Sequence, residues 1–178
     1  FVFERRRPMG QIVKMLADGR LPLRVTHNDT KINNVMLDNA TDRALCVIDL
    51  DTVMPGSSLY DFGDAIRFCA NTAMEDEEDL SKISLDLTRF ELFSRGFLSE
   101  AGRFLTSGEI RLLPLGVKVM TYELAVRFLT DYLDGDLYFK VKSPEHNLIR
   151  TRAQMQLLRD VEAKSDQMDE IIAKCMAR

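Results

Sequence analysis

The sequence predicts an α+β chain, mostly α-helical, in which a small β-hairpin carries a cluster of polar residues. Three observations lead there. Apolar residues recur at helical spacing through most of the second half of the chain. Two short apolar runs, residues 35–37 and 44–50, flank the turn-forming stretch 39–43 and read as a hairpin. The segment just before the first run is polar and holds His27, Asp29 and Asn34.

Taken in order, residues 7–17 carry Met9, Ile12, Val13 and Leu16 on a helical face, with Gly19 as a stop and Lys14 on the solvent side. Residues 21–26 are a short strand lead-in after Pro22. The run 44–50 is nearly all apolar, so a buried strand is expected, with Cys46 and Cys69 filling core space. Residues 55–58 read as a loop. A helix over 59–70 should bury Phe62, Ile66 and Cys69, and residues 75–79 should be a solvated acidic loop. Helices are expected over 87–98, from about Gly108 with Ser107 as its cap, over 117–133, and once or twice within 148–176.

The chain has 178 residues, enough for one domain, 1–178, with its own core. A net charge of −4 argues against nucleic acid, which needs a basic face. The run Arg5-Arg6-Arg7 is short and reads as a solvated helix terminus. Three cysteines without metal-ligand spacing suggest neither a zinc site nor a disulfide framework, and fit a reducing, cytoplasmic compartment. No apolar run is long enough to span a bilayer, and no membrane partner is expected.

The chemistry is concentrated in His27-x-Asp29-x4-Asn34, followed fifteen residues later by Asp49 at the end of the second apolar run. This is the spacing of a kinase catalytic loop. A carboxylate at Asp29 can orient an acceptor hydroxyl and take its proton. The transferred phosphoryl group is densely anionic and needs Mg²⁺, a hard ion that prefers oxygen ligands. Asn34 offers an amide oxygen and Asp49 a carboxylate, and the hairpin should bring the two together. His27 is expected to brace the loop backbone.

On these residues the chain resembles the aminoglycoside phosphotransferase and choline kinase superfamily, which has a protein-kinase-like fold. The resemblance covers the C-terminal lobe of that fold. It implies catalysis by Asp29, magnesium at Asn34 and Asp49, and ATP as co-substrate. In Tyr60-Asp61-Phe62-Gly63-Asp64, it implies that Asp61 supports the catalytic loop. The runs Thr26-His27-Asn28-Asp29-Thr30-Lys31-x-Asn33-Asn34, 48–56, 60–67 and 144–152 look most like the N-acetylhexosamine 1-kinases, which phosphorylate the anomeric hydroxyl of the sugar. Asp64, Arg67 and Arg150 are then substrate-side candidates, each equally able to be a structural ion-pair partner. The family's N-terminal lobe, with its phosphate-gripping lysine and adenine hinge, has no counterpart in the roughly twenty residues ahead of the motif. The chain alone is therefore expected to bind ATP poorly and turn over little. It is also expected to associate through the lobe interface left exposed. Another small acceptor, such as choline or an aminoglycoside, and a non-catalytic binding module of the same fold remain as alternatives.

Overall fold

Residues 1–176 are described by the computed structural model. The first helical stretch is two helices, α1 (Val2–Met9) and α2 (Gln11–Ala17). Pro8 supplies no backbone donor and Gly10 has little helix propensity, so the ladder breaks between them. Arg5 does not sit in open solvent with its neighbours. Its guanidinium donates to Glu162 at 2.9 Å and anchors α1 across the molecule. Lys14 is exposed, as its place on the helix predicts.

Four short strands follow: β1 (Arg24–Thr26), β2 (Val35–Leu37), β3 (Ala44–Val47) and β4 (Met54–Gly56). They form two antiparallel pairs. β2 pairs with β3 as the expected hairpin, Val35 opposite Val47. Its turn is closed by Asp38, whose carboxylate accepts from the N–H groups of Ala40 and Thr41. β1 pairs with β4, Thr26 opposite Met54. The stretch read as a loop at 55–58 is thus partly strand, because β1 supplies a pairing edge that no local pattern reveals.

The rest is helical: α3 (Ser58–Cys69), α4 (Leu87–Ala101), α5 (Ser107–Arg111), α6 (Leu113–Asp134), α7 (His146–Ala163) and α8 (Ser165–Met176). The caps are chemical. Ser57 opens α3 by accepting from the Leu59 N–H, and Asp86 opens α4 by accepting from Thr88 and Arg89. α5 is opened by Thr106 rather than Ser107. The Thr106 hydroxyl takes the Glu109 N–H while the Glu109 carboxylate takes the Thr106 N–H, a capping box one residue earlier than expected. Gly135, at φ 93°, ends α6 in the left-handed region.

Helices α3, α6 and α7 form the centre of the core, with α4 and α8 closing its other side. Phe62, Phe90, Phe128, Leu157 and Leu158 are all buried. Phe62 meets the rings of Phe90 and Phe93 edge-on at 6.0 and 5.8 Å. The α3–α6 contact is a backbone-to-backbone approach. A Cβ at Gly63 would collide with the Gly116 carbonyl, and one at Gly116 with the Leu59 carbonyl.

Three burial expectations fail. The hairpin strand β3 is exposed along its whole length, and Cys46 within it is exposed. Cys69 is only partly buried, enough for desolvation to push its thiol up to about 11. The apolar run around β3 marks a surface that the described residues leave uncovered rather than a strand in the core. Among the described residues, no helix is long and apolar enough to cross a membrane.

Two predictions follow from this packing. Gly116→Ala should cost about 1–3 kcal/mol, since the obstructing atoms are backbone and cannot swing aside; urea unfolding measures it. Glu109 is 1 % exposed and bonded to Arg24 at 2.7 Å. Burial pushes its carboxyl up, but hydrogen bonds from Arg24 and Thr106 outweigh that and bring it down to about 2 from 4.5. A depressed acid stabilises the fold above its unfolded value and loses that contribution as pH falls toward the folded one. Stability should therefore drop by on the order of 3 kcal/mol between pH 5 and pH 2 on this account, and Glu109→Gln, weaker at pH 7, should lose less over the same interval in urea titrations.

Candidate active site

The polar loop 27–31 leaves β1 and is held by the first turns of α3. Asp61 takes the His27 N–H on one carboxylate oxygen and the Asn28 N–H on the other, each at 2.8 Å. The Thr30 hydroxyl donates to the Asp61 carbonyl, and the Thr30 N–H to Asp64 at 3.0 Å. From the far side, the Thr52 hydroxyl donates to the His27 carbonyl at 2.6 Å. Asn28 sits at φ 65°, a conformation asparagine tolerates, and its amide donates to the Thr52 carbonyl at 2.9 Å. Burial raises the Asp61 carboxyl above its ordinary range, with the two N–H bonds pulling it partly back.

His27 lies inside the same frame. Its Nε2 is 3.0 Å from the Ile48 carbonyl, and the Asp29 N–H points at its Nδ1 at 3.3 Å. One neutral tautomer, protonated on Nε2, satisfies both contacts. The ring thus spans the loop and the strand end next to Asp49.

Asn34 and Asp49 are drawn together by the hairpin. Val35 faces Val47, and the Ile48 N–H donates to the Asn34 carbonyl at 2.9 Å. Asn34 is buried and donates its amide to the Asp29 carbonyl at 2.8 Å and to Asp29 Oδ2 at 2.9 Å. The amide oxygen is what Asn34 has left to offer a cation. Asp49 lies in the left-handed region at φ 64°, ψ 55°, a conformation that aspartate, like asparagine, tolerates. Among the described residues, no cluster of three or more His, Cys, Asp or Glu side chains is arranged to hold a metal. An amide oxygen with one carboxylate is instead the sparse, hard donor set that suits magnesium, which keeps several waters and takes oxygen from substrate phosphates.

Lys31 was not singled out in the sequence, although its place two residues after Asp29 in a polar loop is a usable signal. Its ammonium lies 2.8 Å from Asp29 Oδ2. That hydrogen bond raises the lysine above its ordinary range against the effect of burial, and attraction to Asp49 and Asp64 adds to the shift. Lys31 therefore stays charged among three carboxylates.

The remaining candidates meet around one cavity of about 430 Å³, lined by Asp29, Lys31, Asp64, Arg67 and Arg150 together with aromatic side chains. Asp64 and Arg67 form a buried ion pair at 2.9 Å, and Arg67 reaches on to Glu75 at 2.8 Å. Arg150 approaches Glu75 at 3.9 Å, donates to the Lys140 carbonyl at 3.2 Å and lies over the Phe128 ring. All three are thus ion-paired and also face the cavity that contains Asp29.

This arrangement corrects the reading of 75–79 as a solvated loop. Glu75 is tied to two arginines, and Asp76 bonds Lys142 at 2.7 Å and His146 at 3.0 Å. Those two bonds outweigh partial burial and bring the Asp76 carboxyl down to about 2. The partners lie as much as seventy-five residues away, so an acidic run taken alone could not announce them. Arg127, Tyr138 and Phe139 also line the cavity and were missed for the same reason. They come from the end of α6 and the segment after it, and Arg127 stacks over both rings.

A carboxylate lining a cavity, bonded to an asparagine amide and a lysine, with a second carboxylate across a hairpin, is the arrangement expected of a phosphoryl-transfer site. The comparison with known families agrees. The model of the phosphotransferase enzyme family (APH) matches residues 3–92, from α1 into α4 and including the whole loop and hairpin. That stretch is just over half of the 178 residues, and the chain belongs to the phosphotransferase enzyme family.

Proposed function

We propose that the chain is the catalytic and acceptor-binding lobe of an ATP-dependent kinase that phosphorylates the anomeric hydroxyl of an N-acetylhexosamine. One observation carries the kinase part. The Asp29 carboxylate, bonded to Asn34 and Lys31, opens onto the 430 Å³ cavity.

In this reading an acceptor hydroxyl lies against Asp29, which aligns it and takes its proton as the oxygen bonds the γ-phosphorus of ATP and the bond from that phosphorus to the ADP oxygen breaks. Asn34 Oδ1 and the Asp49 carboxylate would hold magnesium. When bound, the ion neutralises charge on the phosphates of ATP. Lys31 keeps a positive charge next to Asp29 and stabilises the charge that develops on the transferred group. His27 and Asp61 keep the loop in place, with no contact to the reacting atoms. Arg67, Arg150 and Asp64 shape the acceptor side of the cavity.

The hexosamine rests on the runs 26–34, 48–56, 60–67 and 144–152, and on the lining of the cavity, where fixed polar groups sit beside rings. The electrostatics argue against the alternatives. A polycationic aminoglycoside would meet carboxylates already neutralised by arginine, since Asp64 and Glu75 both pair with Arg67. A quaternary ammonium group would need open aromatic faces, but Arg127 and Arg150 lie over Tyr138, Phe139 and Phe128.

The nucleotide site is proposed to be completed by a β-rich lobe of the same polypeptide, carrying the phosphate-gripping lysine. Exposed Met36, Leu37, Leu45, Val47 and Leu50 offer that lobe an apolar seat on and beside the hairpin. Without it, the nucleotide lacks half its cradle, and the exposed surface favours association between chains.

The first test is ATP consumption by the polypeptide carrying both lobes, with N-acetylglucosamine, N-acetylgalactosamine, choline and kanamycin. Turnover is expected on a hexosamine. Asp29→Ala should lower kcat by about a thousandfold or more while the melting temperature holds. Turnover on choline or kanamycin alone would overturn the acceptor, and silence on all four would favour a binding module. Lys31→Met should lower kcat by roughly tenfold to a hundredfold with little change in the KM for the sugar; an unchanged kcat would remove Lys31 from the charge-stabilising role.

A further inference from the structure

Among the described residues the Asp49 carboxylate has no hydrogen-bond or ion-pair partner, and Lys31 attracts it only from a distance. Its place is therefore set by its backbone, which is tied on both sides to the loop that carries Asp29. On the near side, Ile48 donates its N–H to the Asn34 carbonyl, and the Ile48 carbonyl lies 3.0 Å from His27 Nε2. On the far side, Asp49 opens the short helical turn Leu50–Thr52, and Thr52 makes two bonds back to the loop. Its hydroxyl donates to the His27 carbonyl at 2.6 Å, and its carbonyl accepts from Asn28 Nδ2 at 2.9 Å.

The side chain of Asn28 is the hub of this latch. A backbone carbonyl can only accept, so the NH₂ end of the amide must face Thr52, and the oxygen faces β1. There Oδ1 lies 2.9 Å from the Thr26 hydroxyl, which is equally close to the Met54 carbonyl on β4. The backbone of Asn28 is held independently, by its N–H on Asp61. Removing the side chain would therefore loosen the turn 50–52 while leaving the loop fastened to α3. Gly56 on β4 keeps the space beside the amide open. A Cβ there would collide with the Thr26 hydroxyl and crowd Asn28 Oδ1 at 3.1 Å.

We propose that Asn28 and Thr52 are positioning residues, which hold Asp49 in a fixed place relative to Asn34 and Asp29 and so set the affinity of the metal site. The inference rests on the reading that Asn34 and Asp49 hold magnesium. Neither positioning residue touches the ion. Two donors on different segments bind a cation well when their separation is already set. A turn free to move must be ordered as the ion binds, and that ordering is subtracted from affinity. Groups that orient metal ligands typically change metal affinity by about tenfold to a hundredfold.

Manganese(II) is the probe, since it takes the same hard oxygen donors as magnesium and its unpaired electrons broaden nearby NMR signals. In ¹H–¹⁵N spectra of the labelled protein, Mn²⁺ is expected to broaden the Asn34 side-chain amide, which is assigned by its loss in Asn34→Asp. Asn28→Gly accepts the φ of 65° and deletes the amide. Thr52→Val acts from the other side of the latch, removing the hydroxyl with little change of shape. Each should raise the Mn²⁺ concentration that half-broadens the Asn34 signal by about tenfold. Thr52→Ser, which keeps the hydroxyl, should retain the wild-type midpoint. Wild-type midpoints in both Asn28→Gly and Thr52→Val overturn the latch and leave the metal reading standing. A Thr52→Ser midpoint as high as that of Thr52→Val traces the effect to packing and likewise overturns the latch. If Mn²⁺ leaves the wild-type Asn34 signal sharp while it broadens others, the metal reading fails and the latch falls with it.

Discussion

Asp61 holds two backbone N–H groups on one carboxylate, and the geometry of the site depends on that grip. His27 and Asn28 open the loop that carries Asp29, and Asp61 stands in the first turn of α3. The loop therefore inherits its position from a helix. The helix inherits its own position from the approach of Gly63 to Gly116 on α6, and from Phe62 in the aromatic core beneath. A bidentate, partly buried bond of this kind transmits helix placement to the loop with little slack, because both oxygens are engaged and a rotation would break one of the two bonds.

Around this frame the charges are arranged in opposed sets. Asp29, Asp49 and Asp64 converge on Lys31, and Asp64 and Glu75 share Arg67. Carboxylates placed this close would repel one another without a cation among them. Lys31 and Arg67 place positive charge among them. The same balance gives the neighbouring cavity its character. Its polar groups are fixed in position by ion pairs and hydrogen bonds.

The β2–β3 hairpin shows how far local pattern can be read. Its existence follows from two apolar runs and the turn-forming stretch between them, all within sixteen residues. Its apolar composition reads as burial, yet β3 is exposed along its length. Hydrophobicity reports that a surface avoids water; it does not say which partner covers it. β4 went unread for a related reason, since its pairing edge lies on β1, some thirty residues earlier.

What the sequence by itself determined is the local chemistry. The spacing of His27, Asp29 and Asn34, the hairpin that carries Asn34 toward Asp49, and the helical faces that bury Phe62, Phe90 and Phe128 all depend on residues near one another in the chain. Local geometry is nearly a function of local sequence, so these are legible. Only the tertiary structure decided which distant charges meet. It joined Arg67 to Glu75 and Asp76 to His146, and it brought Arg150 to the cavity that contains Asp29. Those pairings arise where separate elements pack against each other, and packing is set by the shape of the whole core rather than by any single segment.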